Sequence, residues 1–520
     1  MSIDLHEIES ALAGALPGGL DERIETHAAV VLLGGDRAFK LKKPVAFSFL
    51  DFTTLAAREA ALRNELALNR RTAPHIYRCV RPVTMTGDRL GLPGEGEGDG
   101  EGVIVEWVLE MRRFPQSCRF DRVAARHGLE PASMLALGRE VARFHGTLAP
   151  LTEAGGAAAH EEIARGNALD LRRSVPEVLD EATVELLIRR LDAELSSRTP
   201  LLEKRRREGF VRHCHGDLHL ENIALLDDRP VLFDCIEFDD AFARIDLLYD
   251  IAFLVMDLLD RGFADAAWQV LHGYLEASAD EDANDAGLAL LPLFLATRAV
   301  IRGKIEAFGA RRARARGYLA LAADCLADEA PSMIAVGGLS GTGKSTLAMR
   351  LAPMVGARPG AVLLRSDVLR KRLIGLEPTE RAPARAYDET VSEAMFARMA
   401  ERALRLLEAG RSVVVDSVFA RPGQRRAMRA VADRAGAPFE GIWLHAPQTV
   451  LEARVAARRN DASDADVTIV RQQATYDPGA IDWHQQDASR GVEDTLRALE
   501  PVLAPLRRSS PAAPPSSDDG

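Results

Sequence analysis

A strand, a glycine-rich turn and a helix follow one another without a break in the second half of the chain. The apolar run 333–337 leads into GLSGTGKST, residues 338–346, and a helical pattern begins at Leu347. This is a complete G-x-x-x-x-G-K-[ST] pattern with the preceding strand and following helix that it requires. Glycines let backbone N–H groups approach an anion closely, and the helix N-terminus adds a positive dipole. The segment therefore predicts a phosphate-binding loop at the edge of a sheet.

Each part of this loop has an expected role. Lys344 is predicted to neutralise the β- and γ-phosphates of a nucleotide during catalysis, and the Ser345 hydroxyl to coordinate Mg²⁺. The remaining predicted nucleotide contacts are Gly338, Ser340, Gly341, Thr342, Gly343 and Thr346. The alternative is a glycine-rich turn that binds nothing, and the flanking strand and helix count against it.

Strands and helices alternate after this loop, which predicts a largely parallel sheet. Predicted strands lie at 361–364, 412–415 and 441–444, and Asp367 and Asp416 follow the first two. Ligands gather at the carboxyl ends of parallel strands. Asp416 is therefore predicted to bind Mg²⁺ or its water shell, and Asp367 to be the base for a substrate hydroxyl. The competing interpretation is that either aspartate caps a helix.

A basic helix and a polar loop follow the third of these strands. Arg454 and Arg458 lie one turn apart on one helix face. Such a pair suits a lid that closes over a transferring phosphate, although a solvated basic face explains it equally well. With SDVLRKRL at 366–373 and ARRNDASDAD at 457–466, the region resembles small P-loop kinases of the gluconate-kinase, adenylylsulfate-kinase and zeta-toxin type. That resemblance implies ATP-dependent phosphoryl transfer to a small molecule that carries a hydroxyl group.

A second motif occurs in the first half of the chain. HGDLHLEN, residues 215–222, has the spacing His-x-Asp-x-x-x-x-Asn, and Asp234 ends the next apolar run. Asp217 is predicted to orient a substrate hydroxyl and accept its proton. Asn222 and Asp234 are predicted Mg²⁺ ligands on the nucleotide phosphates. A chance polar loop between two strands is the alternative.

Two short predicted strands upstream, AVVLL and AFKLK, are joined by Gly34-Gly35-Asp36. Lys40 and Lys42 alternate with apolar residues and therefore share one face of the second strand. One of the two is predicted to reach the nucleotide phosphates, and the pattern does not decide which; lysines that merely protect a sheet edge are the alternative. Glu65 and Glu59, on a helix predicted from 54 to 71, are the candidate partners of that lysine, and Glu65 is the favoured one; a solvated helix glutamate is the alternative.

HGDLHLEN, DCIEFDD at 234–240 and DLLYDIAF at 246–253 resemble the aminoglycoside phosphotransferase family, which has a protein-kinase-like fold. The resemblance covers about residues 25–325. It implies a two-lobed domain in which Asp217 is the catalytic base and Asn222 and Asp234 hold Mg²⁺. In one respect the sequence departs from the pattern: no G-x-G-x-x-G-x-V loop precedes the Lys40 strand.

Two domains are therefore predicted, one of the α+β class and one of the α/β class. The first is protein-kinase-like and spans residues 25–325; the second is a P-loop NTPase domain with a parallel sheet over residues 333–500; residues 507–520 are predicted to be a disordered tail. Together they resemble bifunctional aminoglycoside phosphotransferase-like/ATP-binding proteins. The expected function is ATP- and Mg²⁺-dependent phosphotransfer by two kinase-type domains. The alternatives are a single P-loop kinase with a non-catalytic kinase-like module, and an ATP-dependent regulatory switch.

Composition limits the partners. A net charge of −11 argues against nonspecific binding to nucleic acid or to an anionic membrane. The 5 cysteines are scattered and form no C-x-x-C pair, which is typical of a reducing cytoplasm. No apolar run reaches the expected length of a membrane span, and the first residues show no secretory signal. We therefore expect a cytoplasmic enzyme whose acceptor and oligomeric state the sequence does not determine.

Overall fold

The computed structural model describes residues 4–47, 50–93, 102–377, 380–457, 463 and 466–506. The chain divides into two compact units, formed by residues 1–160 with 202–258 and by residues 161–201 with 259–520. The predicted phosphate contact Arg458 and the predicted disordered tail 507–520 lie outside the described residues. The predicted domain boundaries stay a prediction.

The first unit opens with an antiparallel sheet of six strands and two helices. Its elements are α1 (Leu5–Gly14), β1 (Glu22–Glu25), β2 (Ala29–Gly34), β3 (Arg37–Lys42), β4 (Ala46–Phe47), β5 (Leu50–Asp51), α2 (Leu55–Asn69), β6 (Tyr77–Thr86), β7 (Arg89–Gly91) and β8 (Val103–Arg112). The strand order is β1-β2-β3-β8-β6-β7, and β4 pairs separately with β5. Apolar residues of β2 and β3 pack with Ile8 and Leu12 of α1. The predicted strands and the predicted helix are confirmed within a few residues.

The middle of the chain is mainly helical, with four short strands. Its elements are α3 (Phe120–His127), α4 (Pro131–Thr147), α5 (Gly156–Arg173), α6 (Glu181–Arg207), β9 (Val211–His213), β10 (Ile223–Leu226), β11 (Arg229–Leu232), α7 (Asp240–Ala243), β12 (Arg244–Asp246) and α8 (Leu247–Asp260). The strands form two antiparallel pairs, β9 with β12 and β10 with β11. The HGDLHLEN loop lies between β9 and β10, and Asp234 comes just after β11. Both predicted catalytic segments are therefore anchored by these two strand pairs.

Four helices of the second unit come next: α9 (Ala264–Ala277), α10 (Glu281–Gly287), α11 (Leu291–Phe308) and α12 (Arg312–Cys325). Contrary to expectation, one stretch among the described residues, 281–308, is long and apolar enough to cross a membrane by length and composition. Its most apolar window is 78% buried within the protein. A buried core helix passes the same test, and this stretch packs as one.

A five-stranded sheet forms the rest of the second unit. Its elements are β13 (Met333–Gly338), α13 (Lys344–Leu351), β14 (Val362–Arg365), α14 (Ser366–Leu373), α15 (Glu389–Glu408), β15 (Val413–Asp416), α16 (Pro422–Ala435), β16 (Phe439–His445), α17 (Gln448–Ala456), α18 (Val467–Gln473), β17 (His484–Asp487) and α19 (Val492–Leu503). The order is β14-β15-β13-β16-β17, and every neighbouring pair is parallel. The predicted parallel sheet is confirmed. Strand β17 was not predicted because its sequence, HQQD, is polar.

The core of this sheet includes a residue from well outside the P-loop region. Ile334, Val336 and Val414 are fully buried, as expected for parallel strands covered on both faces. Trp268 of α9 belongs to the same apolar cluster. Its indole Nε1 donates a hydrogen bond of 2.8 Å to the Ala361 carbonyl oxygen at the start of β14. Helix α9 is therefore part of the hydrophobic core that supports the sheet.

Candidate active sites

The phosphate-binding loop between β13 and α13 depends on three glycines. Gly338, Gly341 and Gly343 have φ values of 140°, 87° and 88°, which residues with a side chain rarely adopt. A Cβ atom at Gly338 would lie 2.6 Å from the Leu444 carbonyl oxygen, and one at Gly341 would lie 2.7 Å from that of Leu451. Both the backbone conformation and the available space therefore require glycine. The loop has the shape that the sequence motif predicts.

Side chains from later helices hold this loop. The Ser340 N–H donates to Gln473 Oε1 of α18 over 2.8 Å. Arg454 of α17 donates to the Thr342 carbonyl oxygen over 3.5 Å and to that of Arg490 over 2.7 Å. Arg454 thus rests on the loop backbone, and its contact with phosphate stays a prediction. Gln473 was not predicted, because a glutamine at the end of a short helix carries no sequence signal.

Asp416 ends β15 beside this loop. Burial raises the pKa of Asp416 above its ordinary value, although Lys344, Arg365 and the Ser345 hydroxyl act in the opposite direction. Asp416 Oδ1 is buried without a hydrogen-bond partner among the described residues. An orphan carboxylate oxygen next to a hydroxyl and a lysine suits a hard cation or its bound water. The residues present therefore fit the predicted Mg²⁺ site.

Asp367 lies in the first turn of α14, and the N-cap residue of that helix is Arg365. Helix α16, the next helix after Asp416, has Arg421 as its N-cap. Neither predicted aspartate occupies a cap position.

Asp367 and Lys344 line one cleft of about 1260 Å³, whose wall also contains Phe396 and other apolar side chains. The sequence-predicted base and the phosphate lysine therefore face the same space.

Arg370 is a site residue that the sequence analysis missed. It lines the same cleft, is 8% exposed and donates to the Ala386 carbonyl oxygen at 2.9 Å and to Ser392 Oγ at 3.0 Å. Its Nε is buried without a hydrogen-bond partner among the described residues. Burial lowers the pKa of Arg370, and nearby Asp367 opposes that shift. Its spacing of three residues from Asp367, which puts both on one face of a helix, could have signalled it.

A buried arginine fixes two loops of the cleft wall. Phe419, after β15, is buried and has a positive φ of 51°, an unusual conformation for a residue with a side chain. Arg425 of α16 is 2% exposed and donates to the carbonyl oxygens of Phe419 at 2.9 Å, Pro478 at 2.7 Å and Ala480 at 2.9 Å. One guanidinium thus ties the loop after β15 to the loop after α18.

Replacing Arg425 with methionine keeps most of the side-chain volume and removes these donors. We expect the free energy of unfolding to fall by about 2–4 kcal/mol, because buried carbonyl groups lose charged partners. Urea denaturation of the full chain measures this. Arg426→Met on the exposed side of the same helix is the control, with an expected change below about 0.5 kcal/mol. Equal effects of the two changes would contradict the role given to Arg425.

In the first unit, the two lysines of β3 share one glutamate. Lys40 Nζ lies 2.6 Å from Glu65 Oε1 and 3.0 Å from Asp234 Oδ1. Lys42 Nζ lies 2.8 Å from Glu65 Oε2 and 2.5 Å from Glu237 Oε1. Burial alone would lower the pKa of Lys40, but Asp234 and Glu65 outweigh it and raise the pKa well above its ordinary value. The structure therefore brings Lys40, Glu65 and Asp234 together.

Burial favours the neutral form of Glu65, but Lys40 and Lys42 outweigh it and lower its pKa from 4.5 to about 2. Because the folded pKa is the lower one, the ionised carboxylate stabilises the fold above about pH 4.5, and this contribution disappears as the pH falls towards 2. Glu65→Gln should lower the free energy of unfolding by about 3 kcal/mol at pH 7, and the difference from wild type should shrink below pH 4.5. Urea denaturation at several pH values tests this.

Glu59→Gln, on the same helix, is the matched control. Glu59 forms an exposed ion pair with Arg63, and such pairs contribute little to stability. We expect a change below about 1 kcal/mol for the control. A Glu65→Gln effect that stays constant from pH 7 to pH 3 would rule out the ionised Glu65 as its source.

The HGDLHLEN loop is held closely around Asp217. Asn222 Nδ2 donates to Asp217 Oδ2 at 2.8 Å, and His219 Nε2 lies 3.2 Å from the same oxygen. Buried Asp250 of α8 accepts hydrogen bonds from the His215 N–H at 3.1 Å and from the Gly216 N–H at 2.8 Å. The bonds to Asp250 thus fix the loop backbone, while the Asp217 side chain is 37% exposed.

The predicted departure in the phosphate loop is visible in the structure. The β1–β2 turn reads Thr26-His27-Ala28, without glycine, and is closed by the Thr26 side chain, which accepts the Ala29 N–H at 3.0 Å. The glycines at 34 and 35 belong to the next hairpin. A Cβ at Gly34 would lie 2.2 Å from the Gly19 carbonyl oxygen, so that glycine is required by packing. The β1–β2 turn therefore contains no glycine that would bring backbone N–H groups close to a phosphate.

Comparison with known proteins finds a family match for each half of the chain. Residues 47–286 match the model of the Phosphotransferase enzyme family, and residues 333–478 match a model described as an AAA domain. The uncharacterized protein Rv2004c of Mycobacterium tuberculosis is 31% identical over 477 residues, which cover 88% of this chain and 90% of that protein. This chain belongs to the Rv2004c family. It combines a phosphotransferase domain with a P-loop kinase-like domain, as the sequence resemblance implied.

The uncharacterized protein Mb2027c of Mycobacterium bovis matches this chain with the same identity and coverage. Among solved structures, a gluconokinase from Sinorhizobium meliloti 1021 is 22% identical and covers 35% of this chain and 95% of its own, with a TM-score of 0.26. A choline/ethanolamine kinase family protein from Mesorhizobium loti is 16% identical and covers 63% of this chain and 96% of its own, with a TM-score of 0.38.

Proposed function

We propose that this Rv2004c-family protein is an ATP- and Mg²⁺-dependent phosphotransferase whose two sites each transfer the γ-phosphoryl group to a hydroxyl of a small molecule. One observation carries the proposal for the P-loop site: Lys344 and Asp367 line a large cleft, and the buried Asp416 ends β15 at the carboxyl edge of the same parallel sheet. Enzymes with a parallel α/β sheet bind their ligands at this edge.

In the P-loop site the chain's own groups divide the work. Backbone N–H groups of the glycine loop hold the phosphates, and Lys344 neutralises their charge. Asp367 orients the acceptor hydroxyl and takes its proton. Ser345 and Asp416 would hold Mg²⁺, which supplies charge neutralisation when bound. Arg370 adds a buried cation to the same cleft wall, which favours an acceptor with an anionic group.

In the kinase-like site we assign the phosphate contact to Lys40. Lys40 already lies 3.0 Å from Asp234, the proposed Mg²⁺ ligand, whereas Lys42 is 2% exposed and engaged by Glu65 and Glu237. Glu65 positions both lysines. Asn222 points its amide nitrogen at Asp217, which leaves its carbonyl oxygen as the second cation ligand.

The proposal includes a cytoplasmic location and excludes nucleic acid and membranes as partners. The net charge of −11 supports the exclusion of nucleic acid and anionic membranes, and the burial of the apolar stretch 281–308 supports the exclusion of a membrane span. The scattered cysteines support the cytoplasmic location. The small-molecule acceptor is proposed by class, as a compound with a free hydroxyl that, at the P-loop site, also carries an anionic group.

A single-kinase alternative has its own support. The turn Thr26-His27-Ala28 lacks the glycines that hold nucleotide phosphates in kinases. In this alternative only the Lys344 site turns over, and the kinase-like half binds without catalysis. The regulatory-switch alternative predicts ATP binding without phosphoryl transfer from either site.

Calorimetry with a nonhydrolysable ATP analogue and Mg²⁺ distinguishes these functions. We would titrate the wild type, Lys344→Ala and Asp234→Ala, and expect two sites in the wild type, with one lost in each variant. A single site that disappears only in Lys344→Ala would reduce the function to one P-loop kinase. Two sites without ADP formation in the presence of a deproteinised bacterial extract would favour the switch.

A further inference from the structure

An acidic helix from the phosphotransferase region is clamped by four arginines of the P-loop region. Arg402 of α15 makes a bidentate pair with Asp285 of α10 at 2.7 and 2.9 Å, and reaches Glu281 Oε1 at 2.6 Å. Arg398 of α15 lies 3.2 Å from Glu281 and 2.7 Å from Asp282. The remaining two arginines are Arg372 of α14, which pairs with Glu281, and Arg405 of α15, which pairs with Asp282.

Helices α14 and α15 carry these arginines on one face. With another face they line the cleft that contains Asp367 and Lys344, where the acceptor is proposed to bind. On α15 the cleft residues are Glu389, Ser392, Glu393, Phe396, Ala397 and Ala400. They recur every three or four positions and so form one stripe, while Arg398, Arg402 and Arg405 form another. On α14, Asp367 and Arg370 face the cleft and Arg372 faces α10. Helices α14 and α15 therefore connect the cleft with the arginines that bind α10.

The central pair is buried, which makes its partners interdependent. Asp285 is fully buried and Arg402 is 5% exposed. Burial raises the pKa of Asp285, and Arg402 opposes that shift. Without the Asp285 carboxylate, Arg402 loses two charged hydrogen bonds in the interior and keeps Glu281 as its remaining acidic partner, which weakens the attachment of α15 to α10. Asp282, by contrast, is 51% exposed and can exchange its arginines for water.

We propose that α10 is a positioning element of the P-loop site: Glu281 and Asp285 hold α14 and α15 so that Asp367 and Arg370 face the acceptor. The inference rests on the proposed function of that site. The match to the phosphotransferase family ends at residue 286 and so includes most of α10. The inference therefore gives this part of the phosphotransferase region a role in acceptor binding by the P-loop region. None of the ion pairs named above involves a residue of the phosphate-binding loop or of α13. We therefore expect nucleotide binding to be independent of α10.

The test uses the full chain, MgATP and a deproteinised bacterial extract as the acceptor source. ADP formation is followed at increasing extract concentration for the wild type, Asp285→Asn and the control Asp282→Asn. We expect Asp285→Asn to raise the half-saturating extract concentration at least tenfold and to lower the maximum rate per folded molecule, because Asp367 and Arg370 both shift, while the KM for ATP changes less than twofold. Asp282→Asn should change none of these values by more than twofold. A change in both acceptor constants at an unchanged KM for ATP is what positioning of the acceptor side predicts.

A loss of maximum rate in proportion to unfolded protein, with an unchanged half-saturating concentration, would show a purely structural role and overturn the inference. If the wild type forms no ADP, the proposed function fails, and hydrogen–deuterium exchange of the same proteins decides the inference alone. Faster exchange in 366–373 and 389–400 of Asp285→Asn, with unchanged exchange in 344–351, supports it. Unchanged exchange in all three segments overturns it. Arg402→Lys, which keeps the charge but loses the bidentate geometry, should show an intermediate effect on the same readout.

Discussion

Replacement of Lys344 with alanine is expected to abolish MgATP binding at the P-loop site and to reduce kcat/KM for ATP there by about 10³-fold. The physical reason is location. Lys344 is 9% exposed and is the first residue of α13, directly after the glycine loop. A positive charge in a partly dry site stabilises developing negative charge far more than it would in water. Calorimetry and ADP formation with bacterial extract measure the two effects.

Arg350→Ala is the matched control for this experiment. Arg350 lies on the same helix, its side chain is 52% exposed, and it pairs with Glu493. Loss of an exposed ion pair should leave ATP binding within twofold and stability within about 1 kcal/mol. Persistence of full ATP binding at this site in Lys344→Ala would contradict the assignment of the loop. An equal loss in both variants would indicate that helix α13 as a whole is perturbed.

The second large effect concerns the kinase-like site. In a Lys344→Ala background, any remaining phosphoryl transfer belongs to that site, and Asp217→Asn should reduce it by about 10³-fold. Asparagine preserves the size of the side chain and its hydrogen bond with Asn222, but it cannot accept a proton. Transfer of radiolabelled phosphate from ATP to the small molecules of a bacterial extract is the measurement.

Asp228→Asn provides the control, because Asp228 is exposed in the β10–β11 turn with a positive φ of 57°, which asparagine also tolerates. We expect no change beyond twofold. Should Lys344→Ala alone remove all transfer, the kinase-like half is not a catalyst under these conditions, and the single-kinase alternative replaces our proposal. Transfer that survives Asp217→Asn at the full rate would remove Asp217 from the mechanism.

Local rules were sufficient for the P-loop site. The positions of Gly338, Lys344 and Ser345 follow from a pattern of fixed spacing with a strand before it and a helix after it. Asp416 and Asp367 followed from a single topological rule about strand ends. Each of these residues could be located without knowing what lies opposite to it in space.

The residues that were missed depend on distant partners. Gln473 is important because it accepts a hydrogen bond from the Ser340 N–H. Arg425 is important because it donates hydrogen bonds to three carbonyl oxygens of two loops. Neither relation leaves a periodic or spaced pattern in the sequence. The choice between Lys40 and Lys42 was open for the same reason. It depends on which lysine reaches Asp234, a residue almost two hundred positions away.

The position of Trp268 limits where the chain can be divided into separately folding parts. Its indole completes the core of a sheet whose strands begin at Met333, and it supplies a hydrogen bond to the Ala361 carbonyl oxygen. A gene fission at the proline-containing segment 326–332 would remove that aromatic ring and leave an apolar hollow open to water. A P-loop region separated at this segment would need another apolar side chain in the place of Trp268 to close its core.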